Sequence, residues 1–126
     1  MTKETGSEGA ELEKQLAEKV KAYGMRCVGP NCLGVVNTLP SISMDGCFAE
    51  SLPERGHIGF VSQSGALGGG ILNILKDLNL GFAQFISIGN QADVNAETAL
   101  EYWEDDEDVQ QILLYMESIQ NPANFR

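Results

Sequence analysis

A layered α/β fold built on a parallel sheet is what this sequence predicts, and three observations carry that expectation. With 126 residues, 43% of them hydrophobic and 21% charged, the chain has room for one modest core and is too short for a self-contained multidomain enzyme. From residue 58 onward, apolar runs of strand length alternate with segments of helical period in the order β-α-β-α-β, which calls for right-handed crossovers and a sheet covered on both faces. The last apolar run, Ile112 to Met116, is almost purely apolar, as in a strand buried on both sides.

Taken in order, Thr5 and Glu8 form a T-x-x-E capping box, and Leu12, Leu16, Val20 and Tyr23 recur at helical spacing until Gly24 offers a stop. Met25 to Val28 reads as a short strand broken by Gly29-Pro30-Asn31. Residues 37–55, with Pro40, Gly46 and Pro53 and no sustained periodicity, read as a linker or long loop. Ile58 to Val61 is the next strand, Ser62-Gln63-Ser64-Gly65 a tight turn, and Leu67, Ile71, Ile74, Leu75 and Leu78 one face of a helix. Phe82 to Ile88 gives another strand. Asn95 caps a helix whose Ala96, Ala99, Leu100 and Trp103 share a face, and Val109 to Met116 closes the pattern. Three strands make a small sheet, and only ten residues follow Met116, so something outside the chain is expected to complete it, a copy of itself or a partner.

Eighteen Asp and Glu against eight Lys and Arg give a formal net charge of −10, which repels phosphodiester backbones and argues against a nucleic-acid partner. No run approaches the ~18 apolar residues a membrane helix needs. The first ten residues lack the basic start and apolar centre of a signal peptide, so a cytoplasmic location is expected. Cys27, Cys32 and Cys47 have neither C-x-x-C spacing nor a companion His cluster, which indicates neither a disulfide framework nor a metal site.

The chemistry concentrates between Gly56 and Gly70. A strand ending in Ser62-Gln63-Ser64-Gly65 and opening a helix aims unpaired backbone N–H groups and two hydroxyls at one point beyond the strand's carboxyl end, where an anion fits. The plainer alternative is that Ser62 or Ser64 is only an N-cap. Gly68, Gly69 and Gly70 lie inside the helical pattern at ~1 kcal/mol each relative to Ala, which suggests close approach of another backbone unless the helix begins later. Neither a G-x-x-x-x-G-K-[ST] loop nor a G-x-G-x-x-G loop is present. Ser64 fits a hydrolase elbow loosely, and His57 precedes it at the opposite end of the strand, so a serine nucleophile is not expected. Glu117 ends the last strand at the same carboxyl edge as Ser62 and Ser64. A carboxylate beside an anion site calls for something cationic between them, such as an imidazole, whereas the plainer alternative is an exposed strand-end Glu. Glu104 to Asp108 reads as a solvated turn.

Four motifs then occur in one order: G-P-N-C-L-G at Gly29–Gly34, V-S-Q-S-G at Val61–Gly65, G-N-Q-A-D-V at Gly89–Val94 and L-Y-M-E-S-I at Leu114–Ile119, with E-T-G-x-E-G-A at Glu4–Ala10 ahead of them. Together they resemble the α-subunit region of ADP-forming acyl-CoA and acetyl-CoA synthetases, related to succinyl-CoA synthetase. The resemblance implies that residues 1–36 are the last helix and strand of a Rossmann-like CoA-binding domain, 37–55 a linker, and 56–126 the first half of a flavodoxin-like domain. It implies that Ser62, Gln63, Ser64 and Gly65 hold phosphate or a phosphohistidine, that Glu117 orients that histidine, and that Asn31 and Cys32 lie near the CoA thiol and acyl site, although a plain buried thiol suits Cys32 equally. The family's phosphorylated histidine follows the glutamate strand, and its CoA-binding start and ATP-grasp nucleotide domain, which would bring ADP or ATP and Mg²⁺, are not among these motifs. The expected reaction, acyl-CoA plus ADP and phosphate giving acid, CoA and ATP, would therefore need the remainder of the α-region and an ATP-grasp β-subunit or domain. A non-catalytic CoA-ligase-like interaction or regulatory module is the alternative.

Overall fold

The computed structural model describes residues 6–119. Helix α1 (Ser7–Ala22) starts at Gly6, which offers no side-chain cap; Thr5 of the expected capping box lies outside the described residues. The strands are β1 (Gly34–Asn37), β2 (Met44–Cys47), β3 (Arg55–Ser62), β4 (Phe82–Ser87) and β5 (Gln111–Tyr115), with α2 (Gly65–Asp77) between β3 and β4 and α3 (Ala96–Trp103) between β4 and β5. They form one five-stranded sheet in the order β2-β1-β4-β3-β5.

The parallel part is the β-α-β-α-β run. β3 lies between β4 and β5, with Val61 facing Ile86 on one side and Leu114 on the other. Because β4 and β5 flank β3 on opposite sides, two right-handed crossovers must place α2 and α3 on opposite faces. The core divides accordingly. Leu72 of α2 packs with Val36, Phe60, Phe82 and Phe85, and the Phe60 and Phe85 rings sit 5.1 Å apart. Ala96, Ala99 and Trp103 of α3 pack with Val61 and Ile88 on the other face.

Two sequence expectations are corrected. Residues 37–55 are not simply a linker: β2 lies within them and pairs antiparallel with β1, which in turn pairs antiparallel with β4. Alternation is weak there because β2 is an exposed four-residue edge strand, so burial imposes no pattern. Met25 to Val28 is not a strand. Its backbone is tied instead to the segment after β4, with Val94 N donating to Cys27 O at 3.0 Å and Cys27 N donating to Asp93 at 2.7 Å. β1 occupies the edge of β4 that an additional strand would need.

The inward face of α2 also differs from the expected one. Gly68, Leu72 and Leu75 are buried, whereas Leu67, Ile74 and Leu78 are exposed. An apolar stripe wide enough to offer two faces leaves periodicity unable to choose between them. Gly68 decides, because its missing side chain lets the helix settle on the sheet: an added Cβ would stand 3.1 Å from Ser62 and from Phe85.

Candidate functional site

The loops leaving β3 and β4 turn to opposite faces of the sheet, and open α/β sheets form their ligand crevice where this happens, at the strands' carboxyl ends. A cleft of about 590 Å³ lies there, lined by Asn31–Leu33, Gln63–Ala66, Gly89–Gln91, Glu117 and Ser118. These stretches come from four of the five sequence motifs, brought to one place by the ends of β3, β4 and β5 and by the loop before β1.

On the β3 side, Ser64 is the N-cap of α2, and its Oγ accepts from Leu67 N at 3.3 Å. Gly68 N donates to Ser64 O, which leaves the N–H groups of Gly65 and Ala66, in the first turn, without an intrahelical acceptor. Among the described residues no Lys or Arg lines the cleft. Any attraction for an anion there comes from these N–H groups, the Ser64 hydroxyl and the helix dipole. Ser62 differs from its expected placement: fully buried, it donates its hydroxyl to Ser64 O at 2.7 Å and does not line the cleft. It shapes the turn from below. The three glycines lie within the helix, so the helix does not begin after them, and Gly68 alone of the three is pressed tightly against another part of the chain.

Gln63 lines the cleft with its amide already engaged. Its Oε1 accepts from Glu117 N at 2.8 Å and Ser118 N at 3.1 Å, and its Nε2 donates to Ser118 Oγ at 3.1 Å. Two N–H donors converging on one atom identify it as the oxygen. Glu117 is exposed at the cleft wall, and among the described residues its carboxylate has no hydrogen-bond or ion-pair partner.

The opposite wall joins two motif loops. Asn90 N donates to Pro30 O at 2.9 Å and Ala92 N to Gly29 O at 3.0 Å. Asn31 Nδ2 approaches Asn90 Oδ1 at 3.4 Å, and Asn90 Nδ2 donates to Glu13 at 2.8 Å, so α1 is anchored to the cleft rim. Cys32 Sγ faces Val28 O at 3.6 Å, and burial pushes its thiol pKa up, which keeps it protonated near neutral pH. That suits a wall, not a nucleophile. Leu33 N donates to the buried Ser87 Oγ and fixes this loop over β4.

At the far end of the sheet, His57 is exposed and its Nδ1 lies 3.2 Å from Asp108 O. The acidic run is a turn, as expected, but it is not wholly solvated: Asp106 accepts from Gln84 Nε2 at 2.8 Å and Asp108 pairs with Arg55 at 3.2 Å. No three His, Cys, Asp or Glu side chains among the described residues are grouped to hold a metal ion, and no helix there is long and apolar enough to cross a membrane. Of the residues around the cleft, Ala66, beside the V-S-Q-S-G motif, and Leu33, Gly89, Asn90, Gln91 and Ser118 carry no individual signal in the sequence. Only the motifs that contain or adjoin them mark their segments.

A family model described as succinyl-CoA ligase like flavodoxin domain matches residues 55–126. Over 123 residues the chain is 42% identical to an ADP-forming acetate–CoA ligase I of Archaeoglobus fulgidus, covering 98% of this chain and 18% of that protein. It is 41% identical over 122 residues to the α-subunit of ADP-forming acetate–CoA ligase II of Pyrococcus furiosus, covering 97% of this chain and 26% of that subunit. Among solved structures, a protein of Pyrococcus horikoshii OT3 superposes with a TM-score of 0.90 at 43% identity, covering 97% of this chain and 27% of that one. The dinucleotide forming acetyl-coenzyme A synthetase 1 of Ca. Korarchaeum cryptofilum, in complex with phosphate and ADP, superposes with a TM-score of 0.85 at 33% identity, covering 96% and 25%. The chain thus spans between about a sixth and about a quarter of these proteins.

Proposed function

The chain belongs to the family of succinyl-CoA ligase like flavodoxin domains, and from that premise we propose that its cleft is the phosphate-holding half of the active site of an ADP-forming acyl-CoA synthetase. The observation that carries the reading is the convergence in one cleft of the α2 start and a carboxylate, Glu117, that has no partner among the described residues. In this reading the phosphate sits at the N–H groups of Gly65 and Ala66 and the Ser64 hydroxyl. Preorganised donors of this kind stabilise transferred charge without reorganising during the reaction. Glu117 lies across the cleft at the end of β5 and orients an imidazole supplied from outside the described residues, raising its basicity through a hydrogen bond. Asn31 and Cys32 form the wall nearest the acyl and thiol ends of CoA.

The reaction so served is acyl-CoA plus ADP and phosphate giving acid, CoA and ATP. CoA, the nucleotide and its Mg²⁺ are bound mainly by other parts of the enzyme, namely the remainder of the α-region and an ATP-grasp β-subunit or domain. The α-subunit relative of Pyrococcus furiosus supports this division. The part of residues 1–36 that precedes β1 is proposed to be the end of a CoA-binding domain and residues 56–126, to whose sheet β1 and β2 add, the first half of the flavodoxin-like domain; the whole enzyme is proposed to be cytoplasmic.

Titration with inorganic phosphate followed by amide NMR tests the site. The signals of Ser64, Gly65 and Ala66 should move together and saturate, while those of His57 and Asp108 at the far end of the sheet stay still. Unmoved Ser64–Ala66 signals overturn the phosphate assignment.

A further inference from the structure

We infer that Gln63 is a positioning residue for Glu117, holding the β5 exit in place so that the carboxylate faces the cleft, and is not itself a ligand for phosphate. The inference rests on the reading of Glu117 as the site's carboxylate.

The ladder between β3 and β5 ends at the Ser62–Tyr115 pair. Beyond it no strand pairs with the chain among the described residues, and two successive N–H groups, those of Glu117 and Ser118, would otherwise face water. The single Gln63 Oε1 takes both, at 2.8 and 3.1 Å, while Gln63 N donates to Tyr115 O at 2.9 Å and Nε2 reaches Ser118 Oγ at 3.1 Å. Four hydrogen bonds from one residue therefore fasten Tyr115, Glu117 and Ser118 to the turn that begins α2. The turn that presents the Ser64 cap and the segment that presents Glu117 are thereby linked in one rigid unit, and rigid support is what keeps a reactive constellation in register.

The side chain's length and chemistry both enter. Asn is one methylene too short to span the gap, Met spans it with only a weakly accepting thioether, and Glu retains the acceptor oxygen. The same engagement argues against phosphate ligation: the backbone N–H is used, the oxygen repels an anion, and one Nε2 hydrogen is already committed.

Amide hydrogen exchange measured by NMR on this chain, with a phosphate titration alongside, tests the inference. In Gln63→Met the Glu117 and Ser118 amides should exchange about tenfold faster or more, a factor that corresponds to ~1.4 kcal/mol of lost protection, while the Phe60 and Val61 amides keep their protection. Gln63→Glu should restore slow exchange at pH 7 because its carboxylate accepts both bonds, a rescue that a merely space-filling role would not produce. Should Gln63→Met fail to fold, Gln63→Asn makes the same comparison, with fast exchange expected at both amides. Unchanged exchange at Glu117 and Ser118 in a folded Met or Asn variant, or failure of Gln63→Glu to restore it, overturns the positioning role. Absence of any phosphate-dependent shift at Ser64–Ala66 in the unsubstituted chain overturns the phosphate reading separately, since the exchange rates do not depend on it.

Discussion

Gly89 shows how one backbone position holds two motifs together. It sits at φ +52°, and an added Cβ would stand 2.3 Å from Pro30 O and 2.5 Å from Asn31 O, both backbone atoms. Gly89→Ala should therefore combine left-handed strain with a steric clash and lower stability by about 2 kcal/mol or more, measured by urea unfolding. Glu117→Gln should behave oppositely. Its carboxylate has no partner among the described residues, so the stability of the chain should change by less than ~0.5 kcal/mol, while the same change in a complete enzyme should abolish phosphoryl transfer. A loss of several kcal/mol in the chain would make Glu117 a structural residue and remove it from the site.

A third test at single residues concerns Asp93. The Arg26 guanidinium, aided by Cys27 N–H, holds the Asp93 carboxyl below its ordinary value of 3.8. Because the folded state favours the ionised form, the stability this gives is fully present above pH 3.8 and is lost as pH falls through the lower folded value. Arg26 and Asp93 side chains are 63% and 25% exposed, so screening keeps the contribution small. Acid unfolding of Asp93→Asn should be correspondingly less steep below pH 4 than that of the unsubstituted chain, with the two curves parallel between pH 5 and 7.

Within helix α2, three adjacent glycines have different surroundings. Gly70 has nothing within 4 Å of an added Cβ, whereas Gly68 would place one 3.1 Å from Phe85 Cζ and Ser62, both fully buried. Gly70→Ala should stabilise the chain by about 0.5–1 kcal/mol through helix propensity. Gly68→Ala should gain nothing or lose stability, because the tightly packed Phe85 and Ser62 must move aside. Thermal unfolding should separate the two variants by ~0.5 kcal/mol or more, with Gly70→Ala the more stable. Equal effects would mean that α2 does not rest on β3 and β4 through Gly68. The sequence already marked these glycines as costly within a helix, but which of them faces the sheet depends on the rotation of α2 about its axis. That rotation is set by contact with Phe85 and Ser62, two residues distant in sequence from one another.

For the molecule as a whole, the sheet ends at β5, whose outer edge is unpaired among the described residues and whose Ile112 and Leu113 are 42% and 37% exposed. Leu67, Ile74 and Leu78 add an uncovered apolar stripe on α2. Free strand edges and apolar patches of this kind favour association. Sedimentation velocity over a wide concentration range should show reversible self-association that strengthens with salt, since the net charge of −10 opposes it at low ionic strength. A compact monomer at every concentration would contradict this.

What could be read from the chain alone was whatever depends on near neighbours. The alternation from Ile58 to Met116 predicted α2, α3 and the parallel strands; the Ser62–Gly65 turn and Asn95 announced their helix starts, and in the structure Ser64 and Asn95 accept the capping hydrogen bond from three residues on. The four motifs marked the loops that line the cleft, because motif spacing is a local property. Contacts between distant residues lay beyond such reasoning. Ser62 and Ser64 look equivalent in sequence, yet two residues' separation along a strand-to-helix turn buries one hydroxyl beneath the turn and leaves the other on the cleft. Gln63 reads as part of a phosphate loop until Glu117 and Ser118, more than fifty residues later, are found to donate to its oxygen. The β1–β2 hairpin is not legible in the sequence because β2 is an exposed edge strand without an apolar period and β1, though partly buried, is only four residues long. Met25 to Val28 misled because an extended apolar segment becomes a strand only if a partner's edge is open, and β1 had taken the open edge of β4.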